Sequence, residues 1–195
     1  IDELAVFNDS PIPGYEVRIL DGNHHPASEH RLMVLRDVAA GPLPGLSLVV
    51  FDPVRGIVVD CLPCEDGHKQ ERALIPDVLN DIEAGTVWIA DRNFCTCAFM
   101  FELALHNAYF VVRRHAKTCI EVKGLPVACG RVETGSVSEQ TGEVIDVNGQ
   151  RLSCRLITLQ LDHPTPDADH QIHLLPNLPA TFPPLLVSEG YPRRL

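Results

Sequence analysis

The sequence predicts an α/β protein with one mixed β-sheet, helices packed on the faces of that sheet, and a β-rich segment added to it. Short apolar runs typical of strands alternate with two segments of helical periodicity in the first 116 residues. From about residue 117 the helical periodicity stops, and strand-like segments are separated by turn residues. With 195 residues, 45% of them apolar and 22% charged, the chain suits one globular domain with an insertion. We therefore divide it into a core over 1–116, a β-rich insertion over 117–175 and a proline-rich segment over 176–195.

The core is expected to follow the order β-β-β-α-β-α-β. The link between the second and third strands, Asp52-Pro53-Val54-Arg55-Gly56, has the length of a hairpin connection. The first helix is expected to begin or to kink near Pro76, because proline interrupts the helical hydrogen bonds. The predicted strands cover residues 15–20, 46–51, 56–61, 87–90 and 109–112, and the predicted helices cover 70–82 and 96–106.

The insertion is expected to consist of strands alone. Asn148-Gly149 is a strong signal for a two-residue hairpin turn. Residues 176–184 are rich in proline and are expected to be irregular. The predicted strands cover residues 127–133, 143–147, 151–161 and 171–175.

The charge and the cysteines restrict the function. A net charge of −10 argues against a surface that grips DNA, so nucleic acid would have to meet a local basic strip or another part of a longer protein. Seven cysteines without regular spacing indicate free thiols in a reducing compartment, hence a cytoplasmic protein. Cys61-Leu62-Pro63-Cys64 leaves a zinc or redox protein open as an alternative, without a second pair to complete a zinc site.

Neither a signal peptide nor a membrane-spanning segment is expected. No apolar run approaches the roughly 20 residues that cross a bilayer. The start, Ile1-Asp2-Glu3-Leu4, has neither the basic nor the apolar region of a signal peptide. Because the first residue is not Met, we expect a fragment, a processed chain or a trimmed one.

Two acidic residues follow short apolar runs. Asp21 follows Val17-Arg18-Ile19-Leu20, and Asp91 follows Val87-Trp88-Ile89-Ala90. If the two strands are neighbours, their carboxylates could share a Mg²⁺ ion, which takes one or two carboxylates plus water and phosphate oxygens. An Asp at either position could equally form a turn or cap a helix.

The segments around these aspartates resemble the catalytic domain of bacterial DDE transposases of the insertion-sequence-four type. The blocks match in order and cover nearly the whole chain. They are Leu20-Asp21-Gly22-Asn23-His24, Glu29-His30-Arg31-Leu32, Leu43-Pro44-Gly45, Val49-Val50-Phe51-Asp52, Glu65-Asp66-Gly67-His68-Lys69-Gln70-Glu71-Arg72, Ala90-Asp91-Arg92-Asn93-Phe94, Phe110-Val111-Val112-Arg113, Glu133-Thr134-Gly135 and Asn177-Leu178-Pro179.

The resemblance implies a ribonuclease-H-like fold with a β insertion before the final helix. Such sites use two aspartates, here Asp21 and Asp91, and a glutamate to hold two Mg²⁺ (or Mn²⁺) ions. The implied reaction is hydrolysis at transposon ends followed by joining to target DNA. Pairing of two ends would require a homodimer.

The third acid is where the sequence departs from the family. Tyr191-Pro192-Arg193-Arg194 resembles the first half of a Tyr-x-x-Arg-x-x-x-Glu motif, but the glutamate would fall three residues beyond Leu195. We therefore expect an incomplete site. The alternative is a catalytically inactive transposase remnant that serves as a folded binding or interaction module.

Several basic and polar residues are candidates for contacting DNA. Guanidinium groups suit phosphate oxygens, although solvated or ion-paired roles are equally open for these arginines. The acidic residues 162, 167 and 169 do not follow the ligand order of a calcium loop and are interpreted as a solvated loop. The DNA-binding candidates are Arg92, Arg113 and Arg114, with Tyr191 and Arg194 added by the family motif.

Overall fold

A computed structural model describes residues 9–24, 46–64, 71–79 and 82–191 of the chain. Strands and helices alternate in the first half of these ranges, and strands dominate the second half. The strands are β1 (Val17–His24), β2 (Leu46–Asp52), β3 (Ile57–Cys64), β4 (Val87–Ala90), β5 (Tyr109–Arg113), β6 (Ile120–Val132), β7 (Gly135–Ile145), β8 (Arg151–Leu161) and β9 (Gln171–Pro176). The α-helices are α1 (Ile75–Val78), α2 (Cys97–Leu105) and α3 (Pro184–Gly190), and 3-10 turns cover Glu71–Leu74 and Arg92–Phe94.

Within the described ranges the strands form one mixed sheet in the order β3-β2-β1-β4-β5-β9-β8-β7-β6. Strands β1, β2 and β3 are antiparallel, whereas β4 and β5 run parallel to β1. The predicted mixed α/β class is therefore confirmed. The β-rich segment continues the same sheet. Strand β9 pairs with β5, and beyond β9 come β8, β7 and then β6, each antiparallel to its neighbour.

The sheet separates two hydrophobic cores because side chains alternate along each strand. In β1, Leu20 faces one core and Ile19 faces the other. Helices α1 and α2 cover the Leu20 side, and α3 covers the Ile19 side through Val187, which is fully buried. Helices therefore lie on both faces, as the sequence predicts.

The helices are short, and their limits follow from local sequence. The segment around Pro76 forms a 3-10 turn and then a single α-helical turn with proline in its first turn, where the missing amide costs little. Thr96 caps α2 by accepting a hydrogen bond from the Phe99 amide at 3.2 Å. None of the helices in the described part of the chain is long and apolar enough to cross a membrane.

The largest differences from prediction lie in β6 and β7. β6 starts at Ile120 and β7 at Gly135, about seven to eight residues before the predicted starts. Most of β6 is exposed at the edge of the sheet, so backbone pairing with β7 holds it as a strand. Its sequence therefore lacks the regular spacing of apolar residues by which a strand is predicted. The predicted two-residue turn at Asn148-Gly149 is wrong. Instead, the Asp146 amide donates a hydrogen bond to the Gln150 carbonyl oxygen at 3.0 Å. This leaves a three-residue loop, in which Gly149 has a φ of +79°.

Candidate functional site

Asp21 and Asp91 are brought together by two neighbouring parallel strands. The last paired residues of β1 and β4 are Leu20 and Ala90, and each aspartate follows directly. Because alternation puts each carboxylate on the same sheet face as Ile19 and Ile89, both point to the α3 side. There both aspartates line one cavity of about 830 Å³. The predicted convergence of these residues is thus present in the fold.

The surroundings of Asp21 disfavour its ionised form. Burial raises the pKa of Asp21, and the nearby charge of Asp91 raises it further, while the hydrogen bond from the Gly22 amide opposes both effects. A bound cation would remove the repulsion between the two carboxylates. The donor set therefore fits a hard divalent ion such as Mg²⁺ or Mn²⁺.

The Asp91 carboxylate is held in place by the backbone amide of Asn93. Asp91 has an extended conformation and precedes the 3-10 turn Arg92–Phe94, and its Oδ1 accepts a hydrogen bond from the Asn93 amide at 2.8 Å. The capping role considered from the sequence is therefore real. It fixes the orientation of the carboxylate at the mouth of the cavity.

Glu71 supports both acidic segments and was not predicted as a site residue. Its carboxylate lies against Gly22, where an added Cβ would come within 2.1 Å of Oε1. Its Oε2 accepts a hydrogen bond from Nδ2 of Asn93 at 3.4 Å. Because Gly22 and Asp21 face opposite sides of β1, Glu71 acts on the site from behind the sheet. Its sequence signal was limited to the acidic block that enters the first helix.

Tyr191 follows α3 directly and lines the cavity. Its side chain is 3% exposed, and its hydroxyl donates a hydrogen bond to the Ala90 carbonyl at 3.4 Å. Burial, with a smaller contribution from the Asp91 charge, raises the pKa of Tyr191 well above its usual range. The residue thus supports the end of β4 as a neutral donor. DNA contact by Tyr191 stays a prediction, and Arg194 lies outside the described residues.

Two of the three candidate arginines line the cavity. Arg92 and Arg113 both flank the aspartates, whereas Arg114 is not among the described lining residues. The backbone amide of Arg114 donates to His173 O at 2.7 Å, and its Nε is buried without a hydrogen-bond partner. Phosphate contact by any of the three stays a prediction.

The acidic residues 162, 167 and 169 lie on a largely exposed loop, as interpreted from the sequence, and they also form ion pairs with arginines. This segment connects β8 to β9 and borders the cavity. Asp169 forms an ion pair with Arg113 at 2.5 Å, and Arg92 lies 3.8 Å from Asp167 and 3.9 Å from Asp169. These contacts join residues more than fifty positions apart, so they cannot be predicted from local sequence patterns.

A third ligand for a metal ion is not found in the described part of the chain. Among the described residues, no group of three or more His, Cys, Asp or Glu side chains is arranged to hold a metal ion. Cys61 and Cys64 both lie on β3, one exposed and one buried, so this pair does not begin a helix as a thioredoxin-like motif would. No family model and no curated protein matches the chain.

Proposed function

We propose that this chain is the catalytic domain of a DDE-type transposase, with a ribonuclease-H-like fold enlarged by β6–β9. The observation that carries the proposal is the convergence of Asp21 and Asp91 on one cavity from adjacent parallel strands. The mixed sheet with helices on both faces supports it. The proposed activity is cleavage of DNA strands at transposon ends and their transfer to target DNA.

The two aspartates would hold the divalent cations. When bound, Mg²⁺ or Mn²⁺ would activate the attacking oxygen and stabilise the leaving oxygen of the phosphodiester. The Asn93 amide orients Asp91, and a cation bound between the two carboxylates would offset the charge of Asp91 that disfavours ionisation of Asp21. The protein thereby contributes mainly position and charge, as expected for phosphoryl transfer.

DNA is the proposed partner, and the cavity provides the basic groups for it. Arg92 and Arg113 lie beside the aspartates, where guanidinium forks would suit the oxygens of a phosphodiester. With a net charge of −10, the rest of the surface would repel DNA. Binding would therefore concentrate at this cavity. A homodimer that pairs two DNA ends belongs to the same proposal.

The second candidate is a catalytically inactive transposase remnant that acts as a binding module. The ion pairs of Arg92 and Arg113 favour it, because these side chains are engaged by Asp167 and Asp169. This candidate keeps the fold and discards strand cleavage. The two candidates make different predictions for the same protein preparation.

Plasmid nicking and metal titration separate the candidates. The parent chain, Asp21→Ala/Asp91→Ala and the remote control Glu102→Gln would be titrated with Mn²⁺ by calorimetry and incubated with supercoiled plasmid and Mg²⁺. Nicking by the parent and by the control, lost in the double variant, supports the transposase. Metal binding without nicking supports the remnant. Equal Mn²⁺ binding by parent and double variant would refute the metal site and with it the transposase proposal.

A further inference from the structure

The loop between β8 and β9 places its acidic residues on the arginines that flank the aspartates. Asp169 pairs with Arg113, whose side chain is 21% exposed, at 2.5 Å. Arg92 lies 3.8 Å from Asp167 and 3.9 Å from Asp169. Both cavity arginines are therefore engaged by one loop of the same chain.

The backbone of the loop fixes this arrangement. Thr165 O accepts a hydrogen bond from the Ala168 amide at 2.8 Å, and Thr165 Oγ1 accepts one from the Asp169 amide at 3.1 Å. Ala168, between the two aspartates, has a φ of +63°, a conformation that side-chain-bearing residues rarely adopt. The turn thus places Asp167 in the cavity lining and Asp169 against Arg92 and Arg113.

We propose that this loop is an internal competitor for phosphodiesters, and that it holds the cavity closed to DNA until it is displaced. The inference rests on the proposed function and adds a regulation of the same site. Carboxylates and phosphates bind the same guanidinium N–H groups, so Asp167 and Asp169 compete with a phosphodiester for both Nη atoms of Arg92 and for Nη2 of Arg113. Displacing the loop would also remove two negative charges from the path of an anionic substrate.

The ion pairs between the loop and the two arginines are weak enough for DNA to displace the loop. Arg92 is about half exposed and its distances are long, so its pairs are of the weak surface kind. The pair of Arg113 is more shielded and is the main contact to be broken. A polyanion with several phosphates can replace both pairs, since each phosphate contact also releases condensed counterions.

Binding of DNA by a released variant tests the proposal. The parent 195-residue chain and Asp167→Asn/Asp169→Asn would be titrated against a fluorescently labelled mixed-sequence DNA duplex at several salt concentrations. We expect the variant to bind about 3- to 30-fold more tightly. The slope of log K against log salt should become steeper by about 1 to 2.

A matched control separates release of the arginines from the change in net charge. The control variant is Glu121→Gln/Glu143→Gln. It also removes two carboxylates that pair with one arginine, Arg151, but these residues lie on β6 and β7 and do not line the cavity. An equal gain in the control would show a bulk charge effect and overturn the proposal. Adding Arg92→Gln/Arg113→Gln to the released variant should abolish the gain, and persistence of the gain would also overturn it.

The outcome can be separated from that of the proposed function. Mn²⁺ titration of the same proteins reports on Asp21 and Asp91 without involving the loop. If no variant binds the duplex while Mn²⁺ binding depends on both aspartates, the loop proposal fails and the metal site stands. If the loop effect appears without such Mn²⁺ binding, the metal site fails and the loop proposal stands. Circular dichroism melts would confirm that each variant is folded.

Discussion

Replacing Asp21 by Asn should uncouple the stability of the protein from divalent cations. A site of two carboxylates resembles the weakest oxygen-ligand sites in proteins, with a Kd on the order of 1 mM. At about 10 mM Mn²⁺, binding to the folded state alone then adds about 1.4 kcal/mol to the free energy of unfolding. For a chain of this size, that corresponds to a rise in Tm of about 3–6 °C.

The same substitution should raise stability when no metal is present. The pKa of Asp21 is raised above its usual 3.8, first by burial and then by Asp91, so the folded state binds this proton more tightly than the unfolded chain does. The stability that this proton contributes is fully present below pH 3.8 and is lost as the pH rises through the raised pKa. At neutral pH the ionised carboxylate is therefore a cost that Asn does not carry. The advantage of Asp21→Asn should disappear in acid.

Differential scanning fluorimetry of the parent, Asp21→Asn and the exposed control Glu102→Gln measures both effects. The parent and the control should gain Tm with Mn²⁺, whereas Asp21→Asn should start higher at neutral pH and gain nothing. Asp91→Asn should lose the Mn²⁺ effect as well. A Tm gain of equal size in parent and Asp21→Asn would refute the shared cation. So would an Asp21→Asn protein less stable than the parent without metal.

Three further substitutions test the packing and the backbone conformation of the fold. Asp52→Ala should lower the free energy of unfolding in urea by about 3–5 kcal/mol, because the buried carboxylate accepts hydrogen bonds from two backbone amides and from Arg18 and Arg55. A decrease below about 1 kcal/mol would contradict this. Gly135→Ala should cost about 2 kcal/mol or more, since its Cβ would lie 1.9 Å from the Gln160 carbonyl oxygen, and an unchanged urea midpoint would refute that packing. Ala168→Gly should raise stability by about 0.5–1 kcal/mol by relieving the positive φ, and a lower urea midpoint would show that the turn is not strained.

The sequence predicts the centre of the sheet well because burial imposes a visible pattern there. All four residues of β4 are buried, and its limits match the prediction of 87–90. Helix α2 lies within its predicted range because Thr96 caps it and its apolar residues pack on one core. The positions of Asp21 and Asp91 follow from the same pattern, since each ends a run that the core requires to be apolar.

The edge of the sheet and the loop over the cavity were not predictable in this way. In β7, next to the edge strand β6, the first residues are Gly135-Ser136-Val137-Ser138-Glu139, and backbone pairing with β6 and β8 holds them as a strand. The contact between Asp169 and Arg113 joins two distant segments through charge, which has no period along the chain. The contact between Glu71 and Gly22 also joins two distant segments. It forms because Gly22 has no side chain and leaves room for the Glu71 carboxylate. Patterns of local burial therefore reveal the acids of the site and miss the groups that surround them.

The alternative considered for Asp91, a helix cap rather than a ligand, turns out to support the functional reading. The cap bonds Oδ1 to the Asn93 amide and thereby restricts the side chain to one orientation. A carboxylate fixed in this way loses less entropy when it binds a cation than one that must first be ordered, which is the benefit of preorganisation. The Asp21 carboxylate also accepts a backbone hydrogen bond, from the Gly22 amide, but burial and the charge of Asp91 outweigh it and disfavour the ionised form. One carboxylate is thus held in position and the other is held at a cost that a cation would reduce, as expected if the two form the proposed ligand pair.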